Sequence, residues 1–326
     1  MTTSERWDPV FVVGCPRSGT TLLRDLLRSH PLLTLPDETH VIPDFYRAYG
    51  DPRTAEEAER LAARLLGTFW IGLWQLPLRP ADFRRCRSFR AVMELFYDSW
   101  ARREGKPRWG DKTPHYVLHI PLLAWMFPEA RFVHIYRDGR DVALSWLKAG
   151  FEPRNLYAAM EYWAGMVTAG MRDGRKLGPD RYLEVRYETL TSEPEPTMKS
   201  VCEFLDLPWD PAVLKPNRLR RIVTDHARFV LSKPHIVKGN FRKWTTQMSP
   251  DELRVAESVA GDTLERLGYE TNGVARPIPA WKRLSWRVQD RLGWAVYKAR
   301  EKRRGKRHMI EAKLRARLLP RVRVPF

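Results

Sequence analysis

The sequence predicts an α/β protein in which a parallel β-sheet is flanked by helices. One observation is a short apolar strand, Val10–Val13, that leads directly into a glycine-bounded loop and a helix. Two further apolar strands follow at Arg131–Tyr136 and Arg181–Tyr187, and helices of ten or more residues separate them. Strands that alternate with long helices are typical of a parallel sheet covered on both faces. A chain of 326 residues can bury such a core.

The first strand, loop and helix carry the strongest chemical signal. Gly14 ends the strand Val10–Val13, and Thr20 begins a helix with leucines along one face. Loop N–H groups and the positive end of the helix dipole favour a bound anion at this point. The spacing of Gly14, Gly19 and Thr21 matches the phosphate loop G-x-x-x-x-G-K-[ST], but Thr20 replaces the lysine.

This replacement limits the chemistry that the loop can support. In nucleoside triphosphatases the lysine and Mg²⁺ together neutralise the β- and γ-phosphates. Here the basic residue is Arg17, inside the loop. We therefore predict a loop that holds a phosphate group but is poorly built for phosphoryl transfer. An ordinary β-turn-α junction with two glycines is the alternative that the spacing alone leaves open.

Three segments in chain order extend this signal: CPRSGTTLL at residues 15–23, SHPLLTLPDETHVIP at 29–43 and YRDGRDVALS at 136–145. The first and third resemble the 5′-phosphosulfate loop and the 3′-phosphate motif of sulfotransferases that use 3′-phosphoadenosine 5′-phosphosulfate (PAPS). The second resembles the tyrosylprotein sulfotransferase branch, where an E-T-R-x-I-P segment follows the loop. The resemblance runs from about residue 9 to 272 and implies the P-loop-type sulfotransferase fold.

The resemblance implies which residues bind the donor. The 5′-phosphosulfate would lie among Arg17, Ser18, Gly19, Thr20 and Thr21. The 3′-phosphate would be bound by Arg137 and Ser145, and contacts to adenine or the donor phosphates would come from Tyr187, Ser232 and Lys243. Because Arg17 and Arg137 each follow the end of a strand, both are expected to reach one crevice at the carboxyl edge of the sheet.

The resemblance also implies the catalytic residues. Glu38 falls on the glutamate of the E-T-R segment and is the candidate general base, with the neighbouring Asp37 expected to raise its pKa. His40 replaces the arginine of that segment and is the rival base. Lys112, in GDKTP, matches the lysine of the family's N-K-D-P motif and would stabilise the oxygen that leaves with the phosphate, as would Arg17. Ordinary surface roles for Glu38 and Lys112 are the alternatives.

The expected reaction is in-line transfer of a sulfuryl group from PAPS to an acceptor hydroxyl. A sulfuryl group carries less negative charge than a phosphoryl group, so cationic side chains and N–H groups suffice without a metal ion. The acceptor stays open among protein tyrosine, glycan, lipid and small-molecule hydroxyls. The alternative functions are a P-loop kinase for small molecules and a non-catalytic protein that binds membranes or polyanions through its tail.

The cysteines Cys15, Cys86 and Cys202 form neither a disulfide framework nor a zinc pattern.

The remaining elements follow from periodicity and capping. Irregular segments are expected at Leu35–Pro43 and from Pro208 to Lys243, with Arg228–Lys243 as a lid. The insert at residues 44–105 either shapes the acceptor pocket or only packs in the core. Further helices are predicted at Ala55–Leu66, Phe89–Arg103, Asp138–Lys148, Leu156–Lys176, Pro194–Leu207 and Pro250–Leu267.

The last 51 residues differ from the rest, and we divide the chain into a sulfotransferase domain, 1–275, and a basic tail, 276–326. The tail holds 17 lysines and arginines against three acids, so it carries +14 of the net charge of +18. Its first helix has an apolar stripe at Trp281, Leu284, Val288, Leu292, Ala295 and Val296, and a second basic helix is expected to end at Leu319.

This tail suggests a partner. A basic amphipathic helix binds an anionic membrane surface or polyanion, or it packs its stripe on the body of the protein. The composition lacks a sequence-specific nucleic-acid signature. Because the sequence shows neither a signal peptide nor an 18-residue apolar run, we expect a cytoplasmic protein. The basic tail suggests that it is peripheral to the inner membrane face. A homodimer is a further candidate assembly.

Overall fold

The computed structural model describes residues 8–149, 153–215 and 236–302. Its centre is one parallel sheet built from β1 Val10–Val13, β2 Leu33–Thr34, β3 Arg108–Lys112, β4 Arg131–Tyr136 and β5 Tyr182–Arg186. The spatial order is β2-β3-β1-β4-β5, so the strand that precedes the glycine-bounded loop lies in the middle. In register, Val13 lies opposite His134, and Tyr136 lies opposite Arg186. The predicted fold class is confirmed.

Helices surround this sheet. In chain order they are α1 Thr20–Leu27, α2 Ile42–Tyr49, α3 Ala55–Leu66, α4 Phe69–Gly72, α5 Phe89–Arg103, α6 Ile120–Met126, α7 Gly139–Ala149, α8 Leu156–Gly174, α9 Tyr187–Ser192, α10 Pro194–Phe204, α11 Trp244–Gln247, α12 Pro250–Arg266 and α13 Ala280–Lys302. The predicted bounds of α3 and α5 agree at both ends. Thr54 and Ser88 set their starts, because each side chain accepts a hydrogen bond from an N–H group of the first turn.

The two faces of the sheet bury separate apolar cores. Phe11 and Val13 point into the larger core, which α2, α3, α5, α7, α8 and α12 cover. Val10 and Val12 point into the other core, where leucines of α1 and residues of α10 meet them. Alternate residues of β1 therefore lie on opposite faces, and both faces are covered by helices, as the sequence predicted.

Two strands were not predicted. β3 reads RWGDK, a polar sequence without the alternation of an ordinary strand, and all five of its residues are buried. Its charged groups find partners in the interior: Arg108 Nε donates to the Asp8 carbonyl at 2.6 Å, and Asp111 accepts from the Tyr97 hydroxyl at 2.8 Å. β2 has only two residues, too few for a periodic signal.

The insert at residues 44–105 is mainly core, and it also supports the loop after β2. Phe83 and Phe96 are fully buried within the larger core. Trp74 is buried as well, and its indole N–H donates to the Asp37 carbonyl at 3.0 Å. The ring of Trp70 lies 4.4 Å from that of His40. The insert therefore packs in the core, and its tryptophans contact the segment that carries Glu38. That it shapes the acceptor pocket stays a prediction.

Helix α13 is amphipathic, but its stripe does not pack on the body. Trp281, Leu284, Val288 and Leu292 are exposed, so of the two alternatives for this helix the one in which its stripe packs on the body is not found. The opposite side of the helix contacts the start of α8, where the Trp286 ring lies 5.3 Å from that of Tyr157. Among the described helices, none is both long and apolar enough to cross a bilayer. The predicted second basic helix lies outside the described residues.

Candidate active site

Every strand of the sheet brings a candidate site residue to the same edge. β1 ends at the loop that contains Arg17, and β3 ends at Lys112. β4 and β5 are followed directly by Arg137 and Tyr187, and the segment after β2 carries Glu38. Because all neighbouring strands are parallel, their carboxyl ends share one edge. Ligands of such sheets bind in the crevice at this edge, where the central strand has neighbours reached by crossovers in opposite directions.

The glycine-bounded loop is tightly folded beside Tyr187. The Ser18 N–H donates to the Cys15 carbonyl at 3.1 Å. Arg17 and Gly19 have left-handed backbone angles, with φ of 73° and 102°. A Cβ atom on Gly19 would lie 2.4 Å from the Tyr187 ring, closer than any side chain allows. Gly19 is therefore required both by its backbone angle and by the close approach of the ring.

Two polar atoms of this edge are buried without a hydrogen-bond partner in the described part of the chain. They are Ser18 Oγ, in the loop, and Arg137 Nε, after β4. Ser18 is 0% exposed and Arg137 is 6% exposed. Buried polar atoms are almost always paired in folded proteins, so two such atoms at one edge indicate places for ligand oxygens. A ligand with anionic groups at both positions fits these residues.

The two arginines of the predicted donor site converge on α7. Arg17 Nε donates to Ser145 Oγ at 3.1 Å, across 128 residues of sequence. The pKa of the Arg17 guanidinium is lowered first by burial and then by the positive charge of Arg137. A charge effect of this kind requires the two groups to be close. Arg17 contacts Ser145 and Arg137 pairs with Asp141, one turn earlier on α7, so both arginines lie beside the same helix.

Arg137 is held by Tyr187 and by two residues that the sequence analysis did not single out. Its Nη2 donates to Asp141 Oδ2 at 2.9 Å and to the Asn240 carbonyl at 2.8 Å, and its guanidinium lies 4.4 Å from the Tyr187 ring centre. Asn240 also donates to the Tyr187 hydroxyl at 2.7 Å. The i, i+4 spacing of Arg137 and Asp141 could have predicted their ion pair. Asn240 lies 103 residues away and gives no such signal.

The predicted catalytic residues form a continuous chain of contacts. One carboxylate oxygen of Glu38 accepts a hydrogen bond from Lys112 Nζ, and the other lies 2.6 Å from His40 Nε2. Lys112 Nζ also lies 3.5 Å from Thr21 Oγ1, at the start of α1. Lys112 therefore connects the candidate base to the phosphate loop, and the two rival bases are neighbours.

The electrostatics of Glu38 differ from expectation. Burial raises the pKa of its carboxyl, but the Lys112 charge and the His40 hydrogen bond outweigh burial and hold the pKa well below its ordinary value. The expected rise of this pKa is therefore wrong, and the neighbouring Asp37 is itself paired with Arg24 Nη1 at 2.9 Å. Burial lowers the pKa of Lys112, against the opposing charge of Glu38. Glu38 is accordingly ionised at neutral pH.

A buried hydroxyl network fixes the residue between the two rival bases. Thr39 Oγ1 donates to Asp111 Oδ2 at 3.0 Å and lies 2.6 Å from the Tyr116 hydroxyl. The Thr39 N–H donates to Thr113 Oγ1 at 3.0 Å. His40 then adopts a left-handed φ of 55°. The network fixes the backbone between Glu38 and His40. Its contacts join residues more than 70 apart in sequence, so no sequence pattern could predict the network.

Of the remaining predicted donor contacts, Lys243 lies near the residues that hold Arg137. Lys243 is exposed and immediately precedes Trp244, whose N–H donates to Asp141 Oδ1 at 3.1 Å. The chain at Lys243 is thereby held close to the carboxylate that pairs with Arg137. Ser232 lies outside the described residues, as does the predicted lid from Arg228 to residue 235. In the described ranges, no three His, Cys, Asp or Glu side chains are grouped closely enough to hold a metal ion.

Comparison with known proteins identifies the family. The sequence model of the sulfotransferase family matches residues 9–211, which is more than half of the 326 residues. The chain belongs to the sulfotransferase family. Members of this family transfer sulfuryl groups, and the family resemblance stated from the two phosphate motifs is confirmed.

Two similar relatives carry the tyrosine sulfotransferase name. Protein-tyrosine sulfotransferase A of Caenorhabditis elegans is 28% identical over 272 residues, which cover 81% of this chain and 67% of the relative. Protein-tyrosine sulfotransferase of Drosophila melanogaster is 28% identical over 294 residues, which cover 86% of this chain and 55% of the relative. The chain thus spans about half to two thirds of the length of these relatives. The resemblance to the tyrosylprotein branch is confirmed.

Solved structures agree on the fold. The sulfotransferase domain of the curacin biosynthetic pathway has a TM-score of 0.59 at 22% identity, over 81% of this chain and 99% of the domain. The sulfotransferase domain of the Synechococcus PCC 7002 olefin synthase has a TM-score of 0.56 at 24% identity, over 82% of this chain and 97% of the domain. These likenesses confirm the sulfotransferase fold.

Proposed function

We propose that this sulfotransferase moves the sulfuryl group of PAPS to an acceptor hydroxyl by in-line transfer. The observation that carries the proposal is that Arg17 and Arg137 both contact α7 at the carboxyl edge of the sheet, beside two buried polar atoms without a hydrogen-bond partner among the described residues. A nucleotide with one anionic group at its 5′ end and another at its 3′ position would pair with both arginines at once.

The donor roles follow from the positions of the residues. The loop from Arg17 to Thr21 and the start of α1 would bind the 5′-phosphosulfate, with Ser18 Oγ as one of its hydrogen-bonding groups. The free Nε of Arg137 and the hydroxyl of Ser145 would bind the 3′-phosphate. The ring of Tyr187, which already stacks on Arg137, is available at the adenine side.

Glu38 is proposed as the general base. It is ionised at neutral pH, and it would take the acceptor proton as the new oxygen–sulfur bond forms and the bond to the phosphate oxygen breaks. Lys112, between Glu38 and the loop, would place its positive charge beside the oxygen that leaves with the phosphate. His40, hydrogen-bonded to Glu38, would orient the carboxylate or replace it as base.

The acceptor is proposed to be a hydroxyl-bearing molecule, with protein tyrosine suggested by the names of the relatives. One feature of this chain bears on that suggestion. His40 stands where the tyrosylprotein segment has an arginine, so a permanent cation near the base is replaced by a titratable ring. An acidic peptide would therefore meet one permanent cation fewer beside the base than in the tyrosylprotein branch.

Sulfuryl transfer is tested with ³⁵S-labelled PAPS and purified protein. Tyrosine peptides, glycans, lipids and a small-metabolite fraction serve as acceptors, and γ-³²P-ATP with Mg²⁺ serves as the competing donor. We expect ³⁵S transfer without added metal, its loss in Arg17→Ala, and unchanged transfer in the control Arg172→Ala, whose side chain is exposed. Transfer of ³²P without transfer of ³⁵S would overturn the proposal in favour of a kinase.

A further inference from the structure

Helix α13 displays an apolar surface that nothing in the described chain covers. Its stripe consists of Trp281, Leu284, Val288 and Leu292, which are 67%, 64%, 45% and 63% exposed. At 100° per residue these four side chains lie within an arc of about 80°. Four large apolar side chains on one helix face form a contiguous patch of the kind that marks an interaction site.

The orientation of the helix is fixed by its other side. The Trp286 carbonyl accepts from Asn155 Nδ2 at 2.9 Å, and Asp290 Oδ1 accepts from the Arg154 N–H at 2.8 Å. Arg287 pairs with Glu161 of α8 at 2.5 Å. These contacts place Trp286 and Asp290 against the body, roughly opposite to the stripe. The outward direction of the stripe is thus set by specific polar contacts.

The charge around the stripe selects the kind of partner. Lys282 and Arg291 are exposed on α13 beside the stripe, and the helix contains seven lysines and arginines against two acids. One of those acids, Asp290, is engaged with the body. A second copy would bring two basic helices together and so repel the first. A bilayer with anionic headgroups offers an apolar phase for the stripe and negative charge for its rim.

The attachment point lies on the side of the candidate active site. Trp163 of α8 donates its indole N–H to the Arg137 carbonyl at 3.0 Å, while the far end of α8, at Gly174, contacts Tyr182 at the start of β5. The helix therefore runs antiparallel to the strands. Its first turn, where α13 docks, extends about 9 Å beyond the level of Trp163, away from the sheet on the active-site edge.

We propose that α13 binds the surface of an anionic lipid bilayer through this stripe and its basic rim. Bound in this way, the helix lies in the membrane interface, next to the start of α8, which is on the active-site side of the sheet. The proposal does not depend on the donor or on the acceptor of the reaction, so its failure would leave the proposed function intact.

The test is co-sedimentation of the full-length protein with vesicles of phosphatidylcholine alone or with about one third phosphatidylserine. We expect binding only to the anionic vesicles. Salt at 0.5 M should release part of the bound protein, because screening weakens the electrostatic contribution to binding but not the apolar one. Leu284→Glu and Leu292→Glu should each weaken binding by about tenfold or more. The matched control is Leu118→Glu, another exposed leucine on the body, and it should bind as the wild type does.

Three results would overturn the proposal. One is equal binding to both kinds of vesicle, and another is wild-type binding by Leu284→Glu and Leu292→Glu. The third is a dimer in sedimentation velocity that Leu284→Glu dissociates, combined with no vesicle binding, which would assign the stripe to a second copy. Thermal unfolding of each variant shows whether it is folded, which is expected because both leucines are exposed.

Discussion

At the scale of single residues, the proposed chemistry depends on one carboxylate, that of Glu38, which lies between two nitrogen donors. Glu38 lies between Lys112 and His40, and the ion pair with buried Lys112 makes it a stronger acid than an ordinary glutamate. A carboxylate with a low pKa is always available as a proton acceptor at neutral pH, but it accepts weakly. Loss of the Lys112 contact during catalysis would raise its basicity when a proton must be taken.

Replacing the base should separate donor binding from turnover. Glu38→Gln keeps the size of the side chain and removes its charge, so we expect turnover to fall by about 10²-fold or more while affinity for the nucleotide product changes little. His40→Ala removes the rival base and should lower turnover less. The check is ³⁵S transfer beside calorimetric binding of the product. A large loss in His40→Ala with near-normal Glu38→Gln would exchange the two roles.

The same carboxylate should make stability depend on pH. Its pKa in the folded protein lies well below 4.5, so its pairing stabilises the fold above pH 4.5 and is lost as the pH falls through the lower, folded value. We expect Glu38→Gln to unfold about 3 kcal/mol more easily than the wild type at pH 7, since it leaves buried Lys112 without its partner. The difference should shrink below pH 4.

Urea unfolding at pH 7 and pH 3.5 measures this difference. The exposed substitution Glu203→Gln is the control and should differ little from the wild type at either pH. A difference between Glu38→Gln and the wild type that stays constant with pH would contradict the assigned low pKa.

At the scale of elements, the donor site is made where three elements meet. The loop before α1 approaches the Tyr187 ring at the start of α9, and α7 passes beside the loop so that Ser145 reaches Arg17. Gly19 is the point of closest approach between loop and ring. Changes at Gly19 should therefore act on the ring that stacks with Arg137, besides acting on the loop itself.

Gly19→Ala should weaken nucleotide binding more than it weakens the fold. The new methyl group must displace Tyr187, and the backbone must keep a φ of 102° that alanine disfavours. We expect affinity for the nucleotide product to fall by about tenfold or more. Gly105→Ala is the matched control, with φ of 67° and no atom within 4 Å of the new methyl group. It should lose about 1 kcal/mol of stability and keep full affinity. Equal binding by both variants would show that the Tyr187 contact is irrelevant.

At the scale of the whole molecule, the parallel sheet brings the candidate site residues together. Each strand ends at the same edge, so residues from position 17 to position 187 become neighbours without long loops. The edge is also where α8 projects and α13 docks. A protein held at a membrane by α13 would have its donor site and its lipid contact on one side, which suits an acceptor presented at that surface.

Much of the fold could be read from the sequence because its signals are local. β4 has an apolar run, and α3 and α5 have capping residues at their starts. β3 could not be read, because its charged residues are buried only through partners such as Asp8 and Tyr97 that lie far away or in another element. Local sequence does not specify such pairs.

The site divides in the same way. Arg17, Arg137 and Ser145 belong to short motifs and were predicted, although the direct contact between Arg17 and Ser145 was not. The direction of the Glu38 pKa shift was predicted with the wrong sign, because only the fold brings Lys112 to Glu38. Sequence neighbours were visible, whereas the charges that decide the pKa came from other elements.

Arg137 and Arg17 are proposed to bind opposite ends of one nucleotide. The most direct measurement is calorimetric binding of adenosine 3′,5′-bisphosphate and of AMP, which lacks the 3′-phosphate, to the wild type, Arg17→Ala, Arg137→Ala and Ser145→Ala. Arg172→Ala is the exposed control. We expect the wild type to prefer the bisphosphate by about 10²-fold, from charge-assisted hydrogen bonds to the 3′-phosphate.

Arg137→Ala should lose most of this preference, and Ser145→Ala should lose part of it while keeping the Arg137 partners. Arg17→Ala should weaken both nucleotides by a similar factor and keep the preference. If Arg137→Ala and Ser145→Ala both retain the wild-type preference for the bisphosphate, the binding of the two ends of the nucleotide by Arg17 and Arg137 is contradicted.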